Sequence, residues 1–298
     1  MKKIILMCVL MLSGSPANAA LNILACEPEW SALAIEIGGD KVSVSSATNA
    51  LQDPHHVEAK PSLIAKARNA DLLICTGAEL EIGWLPVVLQ QSANPKIQPG
   101  KTGNFAASQF VEMKELPVRN DRAEGDIHPR GNPHIQTDPR NIVPVAAALV
   151  ARMQELDSAN ANFYLNRYDD FAGRWQTALK KWAVDAAPLK GLPIVVQHRA
   201  FIYMNDWLGL KEIGALEPKP GVEPTVAHMS ELLEQLKRTP AKMVIRAAYQ
   251  SERPSEFLRD KAKIPAIRLP FTVGGNDQAN DLFGLYENTI QLLLGGAK

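Results

Sequence analysis

Two trains of short apolar runs alternating with amphipathic stretches, separated by one long helical stretch, constrain this chain more than any other feature. The first train reads "LNILAC", a helical stretch from Glu29 to Ile37, the alternating run "KVSVSSA", and "PSLIAKARNA", which opens on Pro61. It continues with "DLLICTG" and with "AELEIGWLPVVLQQS" at helical spacing. The second train reads "LPIVVQH", "FIYMNDWLG", "LKEIGAL", "TVAHMSELLEQLKR", "KMVIRA", "SERPSEFLRDKA" and "PAIRLP", with a last helix from about Gln278 to Leu294. Strand–helix alternation of this kind predicts parallel sheets covered by helices. Between the trains, "NFYLNRYDDFAGRWQTALKKWAVDAA" keeps helical spacing for about 26 residues, roughly 39 Å of helix. The reading is therefore α/β: two lobes, each a parallel sheet flanked by helices, joined by one long rigid α-helix. The boundaries fall at 20–158 for the N-terminal lobe, 159–187 for the linking helix and 188–298 for the C-terminal lobe. The polar, Pro- and Gly-containing stretch from Pro95 to Asn132 reads as a long irregular segment, which is uncommon in a compact domain unless functional.

Residues 1–19 read as a secretory signal peptide. Lys2 and Lys3 precede an apolar run from Ile4 to Leu12, and Ala17-Asn18-Ala19 supplies a small-x-small cleavage site. The apolar run is too short to span a bilayer. A mature chain starting at Ala20 is expected in the periplasm or outside the cell. Without Lys2 and Lys3, 30 basic residues face 32 acidic ones, so nothing points to nucleic acid or an anionic membrane as a partner. Cys8 leaves with the leader. Cys26 and Cys75 each end an apolar run, at the tops of two strands. If those strands are neighbours, a disulfide staples them; the alternatives are two buried thiols or, from the loose lipobox "ILAC", a lipid-modified Cys26.

The chain has six histidines, and two of them follow Asx-Pro: Asp53-Pro54-His55 and Asn132-Pro133-His134. Proline fixes φ and restricts the residue before it, while Asp or Asn bonds its own backbone in a turn. Each histidine is thus presented from a stiff loop, which lowers the entropy lost on capturing a metal. Asp53 and Glu58 are candidate acceptors for a ring N–H. His198 follows "LPIVVQ", and Asp277 lies in "TVGGNDQ" after "PAIRLP". Ligands of parallel sheets bind outside the carboxyl ends of strands. The positions of His55, His134, His198 and Asp277 predict one site in the cleft between the lobes. Three neutral imidazoles and one carboxylate suit Zn²⁺, whereas Mn²⁺ more readily takes extra carboxylate oxygens. Asp281 competes with Asp277 for the carboxylate role. His128 reads as either a surface residue or an accessory metal catcher, His56 points away from its neighbour, and His228 reads as structural on a helix.

The segments "DPHHVEAKPS", "GNPHIQTDPRN" and "VVQHRAFIYMNDWLGL" resemble the histidine motifs of the metal-binding proteins of bacterial ABC importers, in the zinc and manganese cluster. "CTGAELEIGWLP", "GVEPTVAHMSELLEQLK" and "LPFTVGGNDQANDLFGLYENTI" extend the resemblance over nearly the whole mature chain, with the last most similar to zinc-binding members of the AztC type. The resemblance implies that His55, His134, His198 and Asp277 are the metal ligands and that the ion is Zn²⁺, since manganese and iron binders tend to carry Glu or Asp where His198 stands. It implies a periplasmic monomer that delivers zinc to an ABC permease, with a periplasmic zinc metallochaperone as a candidate further partner. One departure is that Pro95 to Asp126 holds no histidine, whereas many zinc members carry a His-rich loop there. The rivals are a manganese or iron binder of the same fold, a metal-independent adhesin, and a secreted zinc hydrolase. Catalytic zinc needs an open position and a general base, and the chain has no His-Glu-x-x-His pair, so an enzyme is not expected.

Overall fold

The computed structural model describes residues 20–117, 125–126 and 128–298; the leader lies outside them. The strands β1 (Leu21–Ala25), β2 (Val42–Ser46), β3 (Leu72–Cys75) and β4 (Asn104–Ala106) form one parallel sheet in the order β2-β1-β3-β4. The strands β5 (Pro193–Val196), β6 (Lys211–Ala215), β7 (Met243–Ala247) and β8 (Ala266–Leu269) form a second in the order β6-β5-β7-β8. The helices α1 (Pro28–Gly38), α2 (Pro61–Asn69) and α3 (Leu85–Ser92) belong to the first train, each with proline in its first turn, where no backbone N–H is needed. Next come α4 (Ile142–Leu156) and the linking helix α5 (Ala161–Asp185). The second train adds α6 (Ile202–Leu208), α7 (Val226–Arg238), α8 (Arg253–Ala262) and α9 (Leu282–Gly296). Among the described residues no helix is long and apolar enough to cross a membrane.

Three stretches depart from the sequence reading. The Pro95–Asn132 segment contains β4, whose residues pair with Leu73, Ile74 and Cys75 of β3. The helical spacing from Ala78 becomes turns up to Trp84, and helix begins only at Leu85. Positive φ at Gly77, Ala78 and Glu79 excludes a helix there, and the Glu81 carboxylate accepts from the Gly77 N–H instead. Helix α9 starts at Leu282 rather than Gln278, because Asp281 caps it by accepting from the Gly284 N–H.

Linking helix α5 is about 38 Å long by its 25 residues and lies against both lobes. One continuous core runs from Trp30 and Leu33 of α1, through Phe171, Trp175 and Trp182 of α5, to Tyr286 and Leu293 of α9. Trp175 packs edge-on to Phe283 at 4.8 Å and to Trp182 at 5.3 Å between ring centres, and its indole N–H donates to the Pro139 carbonyl at 2.9 Å. A helix embedded in a core shared by both lobes is a poor hinge. Cys26 and Cys75, at the ends of neighbouring strands β1 and β3, form a disulfide with Cα atoms 4.8 Å apart. Cys26 is fully buried in that bond.

Beside the disulfide lie three buried carboxylates. Glu27 accepts from the Thr76 N–H and hydroxyl, Glu81 from the Gly77 N–H, and Glu29 from the Thr272 hydroxyl of the opposite lobe. Burial raises all three, reinforced at Glu27 by the neighbouring charges of Glu81 and Glu29. Glu29 is pushed up to about 7 from an ordinary 4.5. A carboxylate raised in the folded state stabilises fully below its unfolded value, and that contribution is lost as pH rises through the folded one. Glu29→Gln should therefore gain stability relative to wild type between about pH 4.5 and 7, by on the order of 3 kcal/mol. Parallel stability profiles in urea titrations across that range would contradict the assignment.

Candidate metal centre

His55, His134 and His198 arrive at one point from three loops. His55 follows β2, His134 precedes α4, and His198 follows β5. They are 7, 1 and 5% exposed. Their rings form a near-equilateral triangle, with centres 5.3 Å apart for His55–His134, 5.4 Å for His134–His198 and 5.7 Å for His55–His198. One ligand nitrogen from each lies within 4.8 Å of the other two.

Each ring is held by its Nδ1. In the first Asx-Pro-His turn, Asp53 Oδ1 accepts from the His55 backbone N–H at 3.0 Å and contacts Nδ1 at 2.8 Å. Asn132 Oδ1 repeats this at His134, at 3.1 and 2.8 Å. The Asn132 amide donates to the Arg199 carbonyl and to Glu115, which fixes its oxygen toward His134. Glu217 Oε2 lies 2.7 Å from His198 Nδ1. An acceptor at Nδ1 places the proton there and leaves Nε2 as a bare lone pair. The Nε2 atoms of His55 and His134 are buried with no hydrogen-bond partner. Converging desolvated lone pairs are costly on their own, and a shared cation relieves that cost. His134 is held well below the ordinary histidine range by burial and then by the neighbouring rings of His55, His198 and His128, so it is neutral at pH 7 and ready to bind metal.

The lobes are stitched together around the triangle. Tyr203 of α6 donates to the Asn132 carbonyl at 2.7 Å, Tyr286 of α9 donates to the Gln136 carbonyl at 2.6 Å, and Phe271 packs on the His134 ring. Trp84 donates to the Pro54 carbonyl at 2.9 Å, backing the first turn. The flanking cleft carries Glu115, Asp126 and Glu217 together with Arg199 and Lys219, and Arg199 pairs with Glu115.

The remaining candidates sort clearly. Asp277 is exposed and is not among the side chains that meet at the triangle. Its turn closes on itself: Gly274 N–H donates to the Ala279 carbonyl at 2.6 Å, and Asn276 Oδ1 accepts from the N–H groups of Gln278 and Ala279, leaving Asp277 on the outer tip. Asp281 caps α9. His56 is exposed, and His228 bonds through its ring to the Ala215 carbonyl, a structural contact on α7. Glu58 pairs with Lys60 and not with an imidazole. His128 lies beside the triangle, 5.3 Å from His55 and 6.3 Å from His134 between ring centres. Sequence reasoning missed Glu217, which stands 19 residues from His198 with no local signature. Removing a partner that orients a ligand costs about 10–100-fold in metal affinity. Glu217→Ala should weaken metal binding by that factor in a chelator competition, and an unchanged affinity would show that the His198 ring needs no such support.

The fold and this centre define a two-lobed metal-binding protein. The family described as zinc-uptake complex component A, periplasmic (ZnuA), matches residues 23–295, and the chain belongs to that family of metal-binding substrate-binding proteins of ABC importers. It is similar to the manganese ABC transporter substrate-binding lipoprotein PsaA of Streptococcus pneumoniae, 26% identical over 87% of this chain and 82% of PsaA. The zinc-binding lipoprotein AdcA of Streptococcus pneumoniae serotype 4 is 27% identical over 74% of this chain, which spans 44% of AdcA. Among solved structures, a crystal structure of ZnuA superposes with a TM-score of 0.72 at 22% identity, covering 92% of this chain and 99% of that one. The Mn-bound periplasmic metal-binding protein of Candidatus Liberibacter asiaticus gives a TM-score of 0.73 at 14% identity, covering 93% of this chain and 99% of that one.

Proposed function

We propose that this chain captures Zn²⁺ in the periplasm, after removal of residues 1–19, and delivers it to the permease of an ABC importer. The observation that carries the reading is the triangle of three imidazoles, each oriented through Nδ1 by Asp53, Asn132 or Glu217. A nitrogen-only core favours zinc, while manganese takes oxygen-rich shells. The role is capture, not catalysis, carried out by a monomer. A periplasmic metallochaperone is the proposed zinc donor. Asp277, the fourth ligand expected from the sequence, requires its turn to move inward.

Release rests on small lobe tilts and loop rearrangement, because the core shared across α5 resists a wide hinge. The manganese reading is favoured by the relatives named for that metal. Native mass spectrometry of metal-stripped protein offered equal Zn²⁺ and Mn²⁺ separates the two. One zinc per chain, retained against excess manganese, is the expected result; a manganese-loaded chain, or no bound metal, would overturn the proposal.

A further inference from the structure

Building on the proposed metal-capture reading, we infer that the Cys26–Cys75 disulfide positions His55, so that the chain captures metal tightly only once that bond is closed. The loop carrying His55 hangs on the two cysteine segments at its two ends. At its start, the Cys26 carbonyl accepts from the Thr48 N–H at 3.1 Å and from the Thr48 hydroxyl at 2.9 Å. Beside His55 itself, the Pro54 carbonyl accepts from the indole of Trp84, at the end of the turns that follow Cys75. The disulfide joins these two anchors across the neighbouring strands β1 and β3.

Beneath the loop lies a small core of its own. Cys26, Cys75, Leu63 and Trp84 are buried together there, and Val57 and Ala59, just past His55, pack against them. His134 and His198 rest instead on the larger core shared by both lobes, which holds Ile135 beside the first and Val196 and Ala200 around the second. A small core depends most on a covalent staple, and this one closes a sequence separation of 49 residues. Opening the bond therefore loosens the seat of His55 and leaves the other two imidazoles in place. Two imidazoles fall short of the ligands that Zn²⁺ requires.

Closing the bond turns two thiols into one disulfide. The two protons and two electrons pass to a disulfide-bearing oxidant, which is left as a dithiol. Such an oxidant prevails outside the cytosol, where thiols are not kept reduced. A chain that still carries both thiols thus binds zinc weakly, and oxidation after export completes the triangle. Both sulfurs are buried in the folded protein, so the closed bond is shielded from soluble thiols.

The test is chelator competition for Zn²⁺ on the full-length mature protein, as wild type, the Cys26→Ser/Cys75→Ser double variant, His55→Ala and the combination of all three substitutions. The double variant should bind about tenfold more weakly than wild type, the loss typical of removing a group that orients a ligand. In the His55→Ala background the two cysteine substitutions should cost nothing further. Wild type reduced with a phosphine, its two thiols confirmed by titration, should show the same tenfold loss and serves where the double variant does not fold. An affinity equal to wild type without the disulfide, or a tenfold loss that persists without His55, would overturn this assignment while leaving zinc capture standing. So would unfolding of both the double variant and the reduced wild type, which would give the disulfide to the fold as a whole. Oxidised wild-type protein that takes up no zinc would overturn both.

Discussion

Zinc at a thousand times its Kd should raise the melting temperature of wild-type protein by about 8 °C and leave that of His134→Ala unmoved. Saturation at that level contributes about 4 kcal/mol to the folded state, and a chain of this size gains roughly 2 °C per kcal/mol. His134 is the most buried of the three triangle imidazoles, and its Nδ1 and backbone N–H share one acceptor, Asn132 Oδ1. Without metal, the variant loses packing against Phe271 but also loses a buried unpaired nitrogen. These effects oppose each other, and the metal-free melting temperature should shift by only a few degrees. Thermal melts with and without zinc read both quantities. A zinc-induced rise in the variant equal to that in wild type would remove His134 from the site.

Trp175→Ala should cost about 4–8 kcal/mol. Removal of a fully buried tryptophan costs about 3–5 kcal/mol, and the Pro139 carbonyl left without its donor adds about 1–3 kcal/mol. A total stability of about 5–15 kcal/mol makes that a large fraction of what holds the fold. Trp175 sits where α5 meets α9, against Phe283, Tyr286 and Trp182, and its hydrogen bond ends on Pro139, in the same loop as His134. Loss of the indole should therefore weaken zinc affinity as well as stability. Urea unfolding reads the first effect and chelator competition the second. A stability loss under about 2 kcal/mol, below the range for a buried tryptophan, would mean that the lobes do not depend on this aromatic cluster.

The doubly repeated strand–helix pattern was legible because every buried strand except one carries its own apolar run. The exception, β4, is three residues long and sits in a Pro/Gly-rich polar stretch; its place is set by main-chain pairing to β3, which leaves no trace in side-chain patterning. The stretch around Leu80, Ile82 and Trp84 has helical spacing, yet Ile82 is exposed and the backbone turns, because the Glu81 carboxylate bonds back to Gly77. In this instance a local polar contact overrides periodicity. His55 and His198 were legible from their places after strands and His134 from its Asx-Pro turn; Asp53 was expected as a ring acceptor, whereas Asn132 was read only as a turn former. Glu217 was not legible, since it meets His198 only through the pairing of β5 with β6. Nearness to a strand end also pointed to Asp277, but a closed turn directs that side chain outward, and nothing in "GGNDQ" signals which way the turn faces.

The most direct test of zinc capture at the triangle is a crystal structure of the zinc-loaded protein with anomalous data collected on both sides of the zinc edge. A single anomalous peak about 2.0–2.1 Å from Nε2 of His55, His134 and His198 is the predicted result. A peak elsewhere, or none at the triangle in crystals that hold one zinc per chain, would contradict it.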